Sequence, residues 1–191
     1  MATIGIATYR AADKKHKMLA AIPIIFAVQQ AFEGFQWISL GVGKPSMIAA
    51  YSFLFFAFLF WPVYMPYTIF KLDPKRRKIL KWLVGFGIAV ALIFLLSLLY
   101  LPLSVYPRGG SICYDINVPF SQLLVAFYVF VTCGVLLFSS NKVFNWFGVL
   151  LLLSAVISEI FFFYTFTSVW CFFAAMLSSL VYFYIRHLKM Y

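Results

Sequence analysis

Apolar residues in this chain do not alternate with polar ones. They run on for about twenty positions at a time and stop at short basic or glycine-containing breaks. A run of that length crosses the hydrocarbon layer as an α-helix. Continuous runs also exclude the strands of a transmembrane β-barrel, which alternate with a period of two. Six spans are predicted, at about 18–41, 47–70, 82–103, 119–139, 143–164 and 168–186, the fourth started by Pro119. The expected fold class is an all-α membrane protein, a bundle of six transmembrane helices with short loops, residues 1–191 forming a single transmembrane domain. Residues 1–9 are apolar but too short to span. The longest connection, Leu101 to Val118, reads as a loop rich in turn residues: Pro102, Pro107, Gly109, Gly110, Asp115 and Asn117.

A few polar residues interrupt these runs. Gln29, Gln30, Glu33 and Gln36 lie inside the first. At 100° per residue, Gln29, Glu33 and Gln36 share one face, with Gln30 and Trp37 on the adjoining flank. A carboxyl in hydrocarbon costs roughly 2.5–3.5 kcal/mol even on insertion scales, so Glu33 is expected to face the protein interior. Glu159, with Ser154 and Ser158, marks the fifth span. Spans one and five run in the same direction, and the two acids differ in depth by only about 3 Å.

If these spans are neighbours, Glu33 and Glu159 share a polar pocket in the outer half of the membrane. Gln29, Gln36, Trp37, Ser154 and Ser158 would then be its ligand- or ion-binding residues, and two close carboxyls hold a proton between them or bind a cation. The alternative is two separate side chains, each satisfied by a neighbouring helix. Gln30 reads equally well as a bridge between helices. Pro62 and Pro66, one turn apart, read as a kink or as the interfacial end of span two. Trp170 and Cys171 are candidates for the pocket mouth.

Composition strengthens the membrane reading. The chain is 65% hydrophobic and 10% charged, with a mean hydropathy of +0.99, beyond what a soluble domain uses. The net charge of +10 would suit nucleic acid, but its distribution points elsewhere. Thirteen Lys and Arg residues (10, 14, 15, 17, 71, 75–78, 81, 142, 186 and 189) fall on the side of the termini. Only Lys44 and Arg108 fall on the other. That asymmetry places both termini in the cytoplasm, and the basic run from Lys71 to Lys81 faces anionic lipid. The expected partners are the lipid bilayer and an unknown small ligand or ion, with no nucleic acid and room for a membrane-protein partner.

Cys113, Cys133 and Cys171 form no metal-binding spacing. Cys113 and Cys171, both on the outer side, are candidates for a disulfide. His16 and His187 both lie at cytoplasmic ends, which removes bis-histidine haem and a Ser-His-Asp site from the bilayer. No mid-span lysine offers a Schiff base, and no nucleotide-binding glycine pattern occurs. No cofactor is expected.

Three strings carry a resemblance: Phe26-Ala-Val-Gln-Gln-Ala-Phe-Glu-Gly34 with Trp37, Phe60-Trp-Pro-Val63, and Ser168-Val-Trp-Cys-Phe-Phe-Ala-Ala175. They resemble an uncharacterised family of small bacterial integral membrane proteins of unknown function, over nearly the whole chain. The resemblance implies a bacterial inner-membrane location. Family members open with an additional apolar span, and residues 2–9 resemble its tail, which implies a short form or a late start here. The resemblance brings no activity with it. Three readings stand open: a proton- or cation-linked transporter or ligand binder, a membrane enzyme on a lipid-soluble substrate, or an assembly subunit.

Overall fold

The computed structural model describes residues 1–118 and 121–188. Pro119, the expected start of span four, and Lys189 of the basic set lie outside the described residues. The helices are α1 (Ala2–Ala11), α2 (Lys17–Gly41), α3 (Met47–Leu54), α4 (Trp61–Leu72), α5 (Arg77–Tyr100), α6 (Ser121–Leu137), α7 (Lys142–Phe161), α8 (Phe166–Ser178) and α9 (Leu180–Leu188). Five helical stretches are long and apolar enough to cross a membrane: Lys14–Gly41, Met47–Leu72, Arg77–Tyr100, Lys142–Phe161 and Phe163–Leu188. The sixth, α6, is apolar but shorter at 17 residues. Residues 2–11, too short to span, nevertheless fold as a helix. It lies back along α2 with Gly5 against Ile24, and the Lys17 ammonium donates to the Tyr9 carbonyl at 2.7 Å.

Beside an apolar core, a set of polar side chains is buried while large apolar ones face outwards. Gln29 and Gln36 are 0% exposed and Glu33 6%, while Ile48 is 82% and Trp82 81% exposed. Water would favour the opposite arrangement, whereas an apolar solvent favours this one. The helices and their apolar outer faces are thus compatible with membrane insertion.

Span two does not end at its prolines. Residues Phe55–Phe60 form a π-turn, and α4 then continues through both Pro62 and Pro66 to Leu72. The π-turn shifts the hydrogen bonding one residue out of step, with the Trp61 N–H donating to the Phe56 carbonyl. That shift accommodates a proline that lacks an N–H at the next position. Pro66 likewise strips the Pro62 carbonyl of its i+4 donor. Here α5 comes in: Gly87 lies so close that a Cβ at this position would overlap the Pro62 carbonyl oxygen. Only a glycine permits that approach, and its Cα–H groups face the freed oxygen.

The connection from Leu101 to Val118 is not a loop, and the fold is therefore not purely α-helical. Leu103–Arg108 (β1) and Ser111–Ile116 (β2) pair as an antiparallel hairpin, Arg108 opposite Ser111. The two turn residues are Gly109 and Gly110, at φ 57° and 78°. Positive φ at both positions is the signature of a tight hairpin turn that matches strand twist. Ile112, Cys113 and Tyr114 are buried in succession, on both faces of β2. The hairpin is thus wedged into the bundle: Tyr114 stacks on Phe53 of α3 at 4.9 Å, and β2 packs on α8. At this end the core holds Phe53, Phe58, Phe94, Ile112, Tyr128 and Trp170.

The opposite, basic end is tied by one acid. Asp73, capping α4, is buried and accepts from Ser139 Oγ at 2.9 Å, Ser140 Oγ at 2.8 Å and the Lys75 N–H at 3.1 Å. The Ser140 N–H donates to the same carboxylate at 2.5 Å. Asn145 Nδ2 caps the end of α6 by donating to the carbonyls of Leu136, Leu137 and Ser139. Asn141 Nδ2 reaches Tyr184 of α9 at 3.1 Å. Burial alone would raise the Asp73 carboxyl, but the donors from Ser140, Ser139 and Arg76 overcome it and hold it below the ordinary aspartate range.

Two outcomes are expected. Gly87→Ala should destabilise the protein by about 1–3 kcal/mol in detergent unfolding titrations. Gly85→Ala, where nothing lies within 4 Å, should be close to neutral. Asp73→Ala should remove about 2 kcal/mol near neutral pH, roughly 4–8 °C in melting midpoint. Because folding depresses the Asp73 carboxyl, its contribution is present above the unfolded aspartate value of 3.8 and is lost as pH falls through the lower folded one. The gap between wild type and Asp73→Ala should therefore close in melts run at falling pH, and a constant gap would contradict the assignment.

Candidate functional site

The α2 polar residues form a layer within the bundle. Ser168 of α8 donates to Glu33 Oε1 in a short hydrogen bond, and the Gln30 amide lies beside the same carboxyl. Trp61 Nε1 donates to Gln29 Oε1 at 2.7 Å, its ring stacked on Phe26 at 4.0 Å. The Cys171 thiol lies beside Gln29 and Glu33. Gln29 is therefore the amide that bridges helices, α2 to α4, and Gln30 the one next to the acid, the reverse of the sequence expectation. Gln36 is fully buried and neither of its amide atoms has a partner. Trp37 is 40% exposed and lies away from this layer, on the outer surface of α2.

Glu159 lies elsewhere. It lines a cavity of about 310 Å3 at the hairpin end, together with Tyr106, Tyr114, Asp115, Tyr164 and Thr167 among others. Glu33 is not among the residues that line it. The helix α8 packs on both α2 and α7, while α2 and α7 have no substantial contact with each other. Its first turn serves both acids: Thr167 lines the Glu159 cavity and Ser168 bonds Glu33. The expected pocket shared by the two carboxyls is thus divided into two places, because α8 and the hairpin stand where spans one and five were expected to meet.

Between the two places is Tyr114. Its ring lines the cavity, and its buried hydroxyl, without a hydrogen-bond partner, is within electrostatic range of Glu33 and Cys171. Of the serines near Glu159, Ser154 is occupied: it donates to the Leu151 carbonyl at 2.7 Å and accepts from Trp170 Nε1 at 3.2 Å. Ser158 is buried with an unpartnered hydroxyl. Trp170, expected at a pocket mouth, is buried and lines a second, almost wholly apolar cavity with Leu19, Phe26, Trp61 and Cys171. Cys113 and Cys171 are separate free thiols, not a disulfide, with Cys113 in the wall of the Glu159 cavity.

Glu159 itself has neither a hydrogen bond nor an ion pair among the described residues. One ring of the cavity wall, Tyr164, already holds a cation of the chain's own. The Arg108 guanidinium lies over the Tyr164 ring, 3.5 Å from its centre, and fastens the hairpin tip to the segment before α8. Ser168, Tyr114, Tyr106 and Asp115 were not among the site residues read from the sequence. The hairpin residues had a signal, two short stretches with β-branched and aromatic residues separated by just Gly109-Gly110. Ser168 had none, as one serine among several near a turn.

A double-mutant cycle separates the two places. Glu33→Gln with Ser168→Ala should show a coupling of about 0.6–1.7 kcal/mol, the range for interhelical hydrogen bonds in membranes. Glu33→Gln with Glu159→Gln should be additive within about 0.5 kcal/mol. Strong coupling of the two acids would restore a single shared pocket.

No curated protein and no solved structure matches this chain. A family does: its sequence model matches residues 1–190, and the chain belongs to that family, the family of unknown function DUF6629.

Proposed function

We propose that the chain is a single transmembrane domain of six spans in a bacterial inner membrane, with both termini cytoplasmic, and that its outward-facing pocket binds a small cation. The observation that carries this reading is Glu159, an acid with no partner in the wall of a cavity of about 310 Å3. A carboxylate placed among apolar groups is costly without a counter-charge, so a bound cation stabilises the site. The orientation rests on the basic residues, which gather at the end away from the hairpin. A transporter-like role is favoured over simple binding by the second polar layer. Glu33, Ser168, Gln29 and Gln30 lie behind Tyr114, and they offer a cation or proton a further station once that ring moves aside.

Thiol accessibility tests the arrangement. On a background without the native cysteines, cysteine at 109 or 159 should react with an impermeant reagent in intact cells. Cysteine at 75 or 33 should not. Labelling at 75 and silence at 109 would invert the topology. Silence at 159 with labelling at 109 would close the pocket to the outside and end the reading.

A further inference from the structure

We infer that the ligand of the outer cavity is an organic ammonium ion, held by the charge of Glu159 and by the aromatic walls; this rests on the reading that the cavity opens outwards and takes a cation. The cavity is too large for a bare inorganic ion. At about 310 Å3 it has room for roughly ten waters, or for one small organic molecule. Its donor set is also wrong for a metal. Calcium takes six or more oxygen ligands at about 2.3–2.6 Å, and zinc takes four of nitrogen, sulfur or oxygen. Among the described residues no group of three His, Cys, Asp or Glu is placed to hold a metal. Among the described residues, only Glu159 and Asp115 bring negative charge to this cavity.

What the cavity has in abundance is rings. Tyr106, Phe163 and Tyr164 stand half-exposed in its wall, and Phe58, Phe94 and Phe166 are buried behind it. Aromatic faces attract a cation whose charge is spread over apolar substituents and whose desolvation is cheap, which describes an alkylated ammonium and not sodium. The protein already makes one such contact here. The Arg108 guanidinium over Tyr164 shows that a ring of this cavity receives an organic cation, and that cation belongs to the chain itself. Arg108 therefore already occupies one face of the Tyr164 ring, and its charge opposes that of an incoming ammonium. Glu159 and Arg108 act in opposite directions on the same ligand.

The experiment is calorimetric titration of tetramethylammonium chloride into the purified full chain in detergent, with sodium chloride at matched ionic strength as the competing salt. Saturable binding is expected. Glu159→Gln should weaken it about tenfold and Phe163→Leu about three- to tenfold, while Arg108→Gln should strengthen it severalfold. Unchanged melting midpoints would show that the variants fold. No saturable binding by wild type, or binding indifferent to Glu159→Gln, would overturn the ammonium assignment. So would sodium displacing the probe at equal concentration, although a cation pocket would then remain. The outward reading fails separately, through silence of position 159 towards the thiol reagent.

Discussion

A carboxyl group in an apolar layer has to find a donor inside the protein, and the packing of this bundle follows from where Glu33 finds one. Ser168 ties the first long helix to the last long helical stretch and so closes the bundle on itself. Once α8 is fixed there, its neighbouring residue Thr167 faces the Glu159 cavity, and its other flank is free to receive α7. The Trp61 to Gln29 bond sets α4 against α2 by the same logic. Each of these bonds is modest in free energy, about 0.6 kcal/mol on average in membranes. Their weight lies in register: an amide or carboxyl left without its donor is far more costly than the bond is favourable.

The backbone obeys the same rule as the side chains. Pro62 and Pro66 remove two N–H groups within one turn, and an unsatisfied carbonyl has no water to turn to in hydrocarbon. The π-turn at Phe55–Phe60 and the close approach of Gly87 are two different answers to that deficit. One changes the hydrogen-bond step ahead of the first proline. The other brings a neighbouring helix against the carbonyl that the second leaves exposed.

The helices were legible because hydrocarbon thickness and apolar run length are linked directly. The interior placement of Glu33, Gln29 and Gln36 was legible because their cost in lipid leaves few alternatives. Which partner each one has was not legible. Ser168 carries no pattern that distinguishes it from Ser154 or Ser158, and the choice is made by the crossing of α2 and α8, a non-local property. The shared pocket failed on the same point: direction and depth of two spans do not say whether they touch. Pro62 and Pro66, inside a span expected at 47–70, left a kink and an interfacial end both open, because stopping and bending are local remedies. The remedy adopted needs a glycine from another helix. The hairpin was hidden by its own turn residues, since Pro102, Pro107 and two glycines outweighed the β-prone residues around them.

The wedge formed by Ile112, Cys113 and Tyr114 has a consequence for assembly order. Helices can insert into a bilayer one at a time, because each satisfies its own backbone. A two-stranded hairpin cannot stand alone in water, let alone in lipid, and this one buries its second strand against α3 and α8 from opposite ends of the sequence. Contacts so far apart along the chain form slowly and late. The hairpin therefore finds its full set of contacts only once α8 is in place, and the cavity that it walls together with residues 163–167 is completed only then.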